Sequence, residues 1–98
     1  MTSTMRRTAE ALTDSFAQHL PADEVDQYRR FVFAGEWEEL AYAILGHLRA
    51  KKVPVTSGER DLLRDLLYGF ELPSPGYPLL SKRDQYLAEL TIMDPAAE

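Results

Sequence analysis

The sequence predicts an all-α fold, a compact bundle of four to five helices around a central antiparallel helical hairpin. Three observations predict it. Between Gly35 and Phe70, apolar residues recur every three or four positions in two segments, which is the spacing of amphipathic helices. The sequence Val53-Pro54-Val55 breaks the first segment and joins it to the second. No stretch alternates with period two for long enough to require a strand, although YLAELTIM leaves room for a short one.

The first two helices are predicted from apolar spacing and from a proline between them. The first runs from about Met5 to His19 and the second from near Ala22 to Gly35. Pro21 cannot continue the hydrogen bonding of the first helix, but it suits the start of the next. Gly35 accepts the left-handed conformation that ends helices. The expected inner faces carry Ala9, Leu12, Phe16 and Leu20, and then Val25, Tyr28 and Val32.

The hairpin itself contains the third and fourth helices. The third has acids at its start and bases at its end, the polarity that the helix dipole favours. Thr56, followed three residues later by Glu59, predicts a capping box at the start of the fourth helix, and Gly69 is expected to end that helix. The two apolar stripes consist of Trp37, Leu40, Ala41, Ile44, Leu45 and Leu48, and of Leu62, Leu63, Leu66, Leu67 and Phe70. A short fifth helix is predicted over about Lys82 to Leu90, and residues 79–93 are compatible with either helix or strand.

Composition indicates one soluble globular domain. The 98 residues are 45% hydrophobic and 28% charged and form one domain, residues 1–98, with 1–4 and 94–98 expected to be frayed. Without cysteine the chain has no disulfide framework and no thiol nucleophile, which fits a reducing compartment. No apolar run approaches the roughly 18 residues of a membrane span. We therefore expect a cytoplasmic protein that does not bind a membrane.

The negative charge is concentrated in one part of the chain. Residues 21–48 carry six acidic and two basic residues, and so account for most of the net charge of −5. Such a field repels nucleic-acid phosphates and attracts cationic proteins. We therefore expect a basic protein partner and do not expect direct binding to nucleic acid.

The pattern of polar residues does not predict catalytic, cofactor-binding or metal-binding residues. His19 and His47 are the only imidazoles, and neither has a carboxylate or second histidine at metal-ligand spacing. The serines lie at helix caps or termini and no glycine-rich phosphate loop follows a strand. An enzyme would require His19 or His47 to meet a carboxylate in a pocket, and we expect a protein that is not an enzyme.

Acidic and aromatic residues are the candidates for partner binding. Carboxylates steer association with cationic proteins, and half-exposed tyrosines commonly anchor interfaces. The same acids also suit the starts of helices and keep a surface soluble, and this second interpretation stays open. The candidate set is Asp23, Glu24, Asp26, Glu36, Glu38, Glu39, Tyr42 and Tyr77.

Two fragments of the hairpin carry a family resemblance. Gly35-Glu36-Trp37 leads into an apolar helix, and Val53-Pro54-Val55-Thr56-Ser57-Gly58-Glu59-Arg60 leads into a leucine-rich one. Together they resemble the Maf-type and related contact-dependent growth inhibition immunity proteins of bacterial polymorphic toxin systems. The resemblance implies a cytosolic antitoxin that neutralises a cognate toxin domain, often a nuclease, by stoichiometric binding. It covers roughly residues 25 to 70.

Three other functions are compatible with the sequence. One is a helical adaptor or regulatory domain that binds another protein or a peptide. Another is a homodimeric structural protein that associates through apolar surface such as Phe31 and Phe33, although we expect a monomer or a weak homodimer. The third is an enzyme of the kind described above.

Overall fold

The computed structural model describes residues 4–70 and 78–94, and these form five α-helices and one 3₁₀ helix. In chain order the elements are α1 (Thr4–Phe16), α2 (Ala22–Ala34), α3 (Trp37–Lys51), α4 (Ser57–Tyr68), the 3₁₀ helix (Pro78–Lys82) and α5 (Arg83–Glu89). The prediction of an all-α bundle is confirmed. The ends were expected to be frayed over residues 1–4 and 94–98. Residues 1–3 and 95–98 lie outside the described residues, whereas Thr4 begins α1 and Asp94 accepts hydrogen bonds from Ser57, so for these two residues the expectation is wrong.

The first four helices form a closed ring in which each runs antiparallel to its neighbours. Helix α1 packs against α2 and α4, and α3 packs against the same two helices. The start of α1 meets the end of α2, where Arg6 Nη1 donates to the Val32 carbonyl at 3.0 Å. The end of α3 meets the start of α2 through His47 and Glu24. Short connections between antiparallel neighbours define an up-down-up-down four-helix bundle. The most extensive helix contact is between α1 and α4.

Helix α1 ends at Phe16, three residues before the predicted His19. The chain continues in a tighter turn, in which the amides of Gln18 and His19 donate to the carbonyls of Ser15 and Phe16, each at 3.1 Å. The turn buries Leu20 and directs His19 toward the start of α4. Apolar spacing could not reveal this early end, because Leu20 stays on the inner face in either geometry.

The predicted end of α2 at Gly35 and the predicted start of α4 at Thr56 are confirmed. Gly35 has φ of 70°, and the amides of Gly35 and Glu36 donate to the carbonyls of Val32 and Phe31. This pair of bonds is the Schellman motif, which satisfies the last carbonyls of α2. At the start of α4, the Glu59 amide donates to Thr56 Oγ1 and the Thr56 amide donates to Glu59 Oε1, both at 3.0 Å. Both halves of the capping box are thus formed.

The core contains most of the predicted inner-face residues of the four bundle helices. Trp37, Leu62 and Phe70 are only partly buried and pack around its edge. Leu80 and Tyr86 close the core from the C-terminal part of the chain. The fully or nearly fully buried apolar residues of the bundle helices are Ala9, Leu12, Phe16, Val25, Tyr28, Val32, Leu40, Ala41, Ile44, Leu45, Leu48, Leu63, Leu66 and Leu67.

Residues 79–93, for which the sequence allowed either helix or strand, contain both helical and extended backbone. They are helical up to Glu89 and extended after it. Ile92 forms a single parallel β-bridge with Val55 in the connection between α3 and α4. In the segment YLAELTIM, β-pairing is therefore limited to one bridge near its end, at Ile92.

Candidate functional site

The six acidic candidates lie at opposite ends of the α2–α3 pair. Asp23, Glu24 and Asp26 belong to the first turns of α2, whereas Glu36, Glu38 and Glu39 precede or begin α3. Because the two helices are antiparallel, their starts are separated by the length of a helix. The acids therefore form two groups, not one surface.

The group at the start of α2 is partly engaged within the protein. Asp23 and Asp26 are exposed. Glu24 Oε1 lies 3.5 Å from Nδ1 of His47, whose side chain is only 11% exposed. His47 thus meets a carboxylate, and the contact ties the start of α2 to the end of α3.

One turn along α2, the buried Tyr28 hydroxyl has no hydrogen-bond partner among the described residues. Burial, and secondly the charge of Glu24, raise the pKa of Tyr28 far above its ordinary value.

The group at the start of α3 forms an open acidic surface. Gly35, Glu36, Glu38 and Glu39 line a shallow depression of about 450 Å³, and we call these four residues the acidic corner. Glu36 and Glu38 are exposed, and Glu39 is half-buried. The dipole of α3 favours carboxylates at this end. Tyr42 lies one turn further along α3 and is 50% exposed. Four of the residues predicted from the sequence therefore lie near the start of α3, namely Glu36, Glu38, Glu39 and Tyr42. Tyr77 lies outside the described residues.

Phe33, which the sequence suggests only for self-association, is a further interface candidate. It is 89% exposed and lies two residues before Gly35, next to the acidic corner in the chain. With Val32 it borders a groove of about 230 Å³ between α1 and α2, which Arg6 and Asp14 also line. Phe33 does not lie on the apolar face of α2 formed by Val25, Tyr28 and Val32. Its position outside that face is the sequence signal that could have identified it as an exposed aromatic residue.

A second constellation surrounds Glu59, which is 1% exposed. Its Oε2 accepts hydrogen bonds from Ser15 Oγ at 2.6 Å and from His19 Nε2 at 2.7 Å. Its Oε1 accepts the Thr56 amide of the capping box. Burial alone would raise the pKa of Glu59, but the bonds from Ser15, Thr56 and His19 and the charge of His19 outweigh it, so the pKa is lowered. Glu59 is thus an ionised, buried carboxylate that joins the end of α1 to the start of α4.

The Glu59 network has the residue types of a catalytic triad but not its order. In a nucleophilic triad the serine bonds to the histidine, and the acid orients that histidine from the other side. Here Ser15 and His19 both bond to Glu59, whose two oxygens are occupied and nearly inaccessible. The arrangement suits the linking of two helices. The capping-box pattern identified Thr56 and Glu59, but gave no signal for Ser15 and His19, which are 44 and 40 residues away from Glu59.

The described residues, 4–70 and 78–94, also bear on metal binding and on membrane insertion. These residues contain no group of three or more His, Cys, Asp and Glu side chains placed to hold a metal ion. Within the same ranges, every helix is too short or too polar to cross a membrane.

Comparison of the chain with protein-family models, with curated proteins and with solved structures gave no match.

Proposed function

We propose that this protein is an immunity protein, which binds a cognate bacterial toxin domain, possibly a nuclease, in the cytoplasm and neutralises it stoichiometrically. The proposal rests on the sequence resemblance described above and on one observation in the structure. That observation is the exposure of two aromatic residues, Phe33 and Tyr42, which come before and after the acidic corner in the chain. The aromatic residues would anchor the complex, and the carboxylates would meet lysines and arginines of the toxin.

The exposure of Phe33 supports a role in binding. Full burial of a phenylalanine side chain contributes about 1.5–3 kcal/mol, and the isolated chain leaves nearly all of this unused at position 33. Aromatic residues, phenylalanine among them, are enriched in the buried centres of protein interfaces. Phe33 is therefore the residue whose truncation should weaken the complex most.

The charge of the acidic corner supports a basic partner. Exposed carboxylates at the rim of an interface increase the association rate with a cationic protein, and salt reduces that effect. Many nuclease domains present a basic groove to phosphates, and a carboxylate surface seated there would exclude the substrate. In this mechanism the antitoxin acts by occupying the groove, and no reaction occurs on the antitoxin itself.

The test is co-expression with the product of the gene encoded immediately upstream, followed by purification of the complex. We expect that product to be toxic alone and harmless together with this protein. Glu36→Lys/Glu38→Lys should lower the association rate at least about tenfold at low salt. Asp23→Lys/Asp26→Lys makes the same change in charge at the far end of α2 and should have a much smaller effect. Phe33→Ala should raise the dissociation constant by about tenfold or more.

Three outcomes would contradict the proposal. The absence of both toxicity and a complex removes the immunity function. If the two charge reversals have equal effects, either the interface lies elsewhere or association depends only on the net charge of the protein. A stable complex with a non-toxic partner favours the helical adaptor, the alternative that the sequence left open.

A further inference from the structure

Exposed charges of opposite sign flank Phe33 along the chain. Arg29 and Arg30 precede it by about one helical turn, Glu36 and Glu38 follow it after the end of α2, and all four are exposed. Arg30 and Phe33 are three residues apart on α2, so their side chains are neighbours on one face of the helix. The order at this end of α2 is therefore base, aromatic ring and acid. We call Arg30, Phe33 and Glu36 the Phe33 surface.

The fold keeps the acid of this surface close to the end of α2. The Glu36 amide donates to the Phe31 carbonyl at 2.9 Å, within the Schellman motif. Phe33 is 89% exposed, more than any other large apolar side chain of residues 4–70 and 78–94. It also borders the groove between α1 and α2. A second aromatic ring can therefore approach Phe33 without displacing an element of the bundle.

The order of charges makes the Phe33 surface complementary to its own copy. In a two-fold contact the same surface of two molecules meets in opposite orientation, so a residue i that faces j is matched by a j that faces i. A two-fold axis through Phe33 sets Arg30 of each protomer against Glu36 of the other. Two ion pairs then flank a central pair of aromatic rings, whereas a surface of one sign would repel its copy.

We propose that the Phe33 surface binds a second copy of this chain in a weak two-fold pair. The two rings exclude water at the centre of the contact, and the pairs of Arg30 with Glu36 at its rim fix the orientation. Because a contact of this size buries little area, we expect a dissociation constant of about 0.1–1 mM. Phe33 and Glu36 also belong to the proposed toxin interface. On the basis of that proposed function, the pair covers the toxin-binding residues, and the monomer is the form that neutralises.

The first measurement is the concentration dependence of self-association, followed by analytical ultracentrifugation and NMR from about 0.02 to 2 mM protein. The weight-average mass should rise over this range, and the resonances of residues 30, 33 and 36 should shift with it. Phe33→Ala should raise the dissociation constant about tenfold or more, since the rings are the main apolar contact. Met93→Ala truncates a side chain that is 62% exposed at the opposite end of the bundle and should leave the constant unchanged. A wild type that stays monomeric throughout the range, or a Phe33→Ala variant that associates equally well, would overturn the proposal.

The second measurement exchanges the charges. Arg30→Glu and Glu36→Arg each set like charges against one another at both ion pairs, so either variant alone should associate at least about tenfold more weakly. An equimolar mixture of the two variants should associate again, because every base then faces an acid. The double variant Arg30→Glu/Glu36→Arg should also associate, as a pair of identical copies.

Recovery on mixing requires both variants to be folded, so it separates a lost contact from misfolding. Failure of both the mixture and the double variant to associate would refute the two-fold pair. Neither measurement needs the toxin, so failure of the self-association is distinguishable from failure of the immunity function.

Discussion

Replacement of Glu59 by alanine tests the proposed link between α1 and α4. The substitution removes the acceptor of three hydrogen bonds, from Thr56, Ser15 and His19. Each such bond contributes about 1 kcal/mol net, and those to a charged group somewhat more. The exposed side of His19 regains water, which reduces the loss. We therefore expect Glu59→Ala to lower the free energy of unfolding by about 2–3 kcal/mol.

The substitution Glu59→Gln removes the charge of the side chain while keeping its size and shape, so it isolates the contribution of the charge to stability. The carboxamide has one accepting oxygen and one donating amino group, so it can bond to Thr56 while the Ser15 hydroxyl turns to accept. Only the charge assistance and part of the His19 contact are lost. The expected decrease in the free energy of unfolding is about 1 kcal/mol.

The assay is urea unfolding followed by far-UV circular dichroism at pH 7, with a thermal scan as a second measure. In a domain of this size 1 kcal/mol corresponds to about 4–8 °C in the melting temperature, so Glu59→Ala should melt about 10–20 °C lower. Glu10→Ala, at an exposed position of α1, is the matched control and should change stability by less than about 0.5 kcal/mol. If Glu59→Ala costs no more than this control, the reasoning is wrong.

The pH dependence gives an independent check on Glu59. Its pKa is lowered in the folded protein from an ordinary value near 4.5. A lowered folded pKa means that the contribution to stability is fully present above the unfolded pKa and is lost as pH falls through the folded one. The stability difference between the wild type and Glu59→Gln should therefore shrink as the pH falls below about 4.5. A difference that grew over that acidic range would contradict the sign.

Three further substitutions are measured by the same unfolding assay. Gly35→Ala places a side chain at φ of 70° and should destabilise by about 1–2 kcal/mol, and no loss would mean that the Schellman turn is not as described. Gly46→Ala should stabilise by about 0.5–1 kcal/mol, because the added methyl group meets open space in the middle of α3, and a loss would indicate an unseen contact. Tyr28→Phe removes a buried hydroxyl that has no partner among the described residues, so it should be neutral or slightly stabilising, whereas a loss above about 1 kcal/mol would reveal a hydrogen bond to Tyr28.

The sequence predicted the helices well because the signals for them are local. The inner faces recur at helical spacing within each segment, and the stop at Gly35 and the capping box at Thr56 involve residues no more than four or five positions apart. Each of these features has a physical cause within a single turn of backbone. The short connections then restricted the helices to antiparallel packing.

The candidate site was predicted only in part, because exposure depends on distant contacts. The acids of residues 21–48 were identified correctly as a concentration of charge, yet the bundle divides them between two ends. Phe31 and Phe33 are two residues apart on α2, and the first packs against the core while the second is 89% exposed. Which face of a helix stays uncovered depends on where the neighbouring helices end.

Two glutamates show where the information in the sequence ends. Glu39 and Glu59 each occupy the third position of a helix, where the backbone amides favour a carboxylate, and local sequence determines that much for both. Tertiary structure alone decides that Glu39 borders an open depression while Glu59 is buried beneath Ser15 and His19. The physical reason is that helix formation depends on interactions within one turn, whereas burial and the pairing of a charge depend on residues that approach only after the bundle has closed.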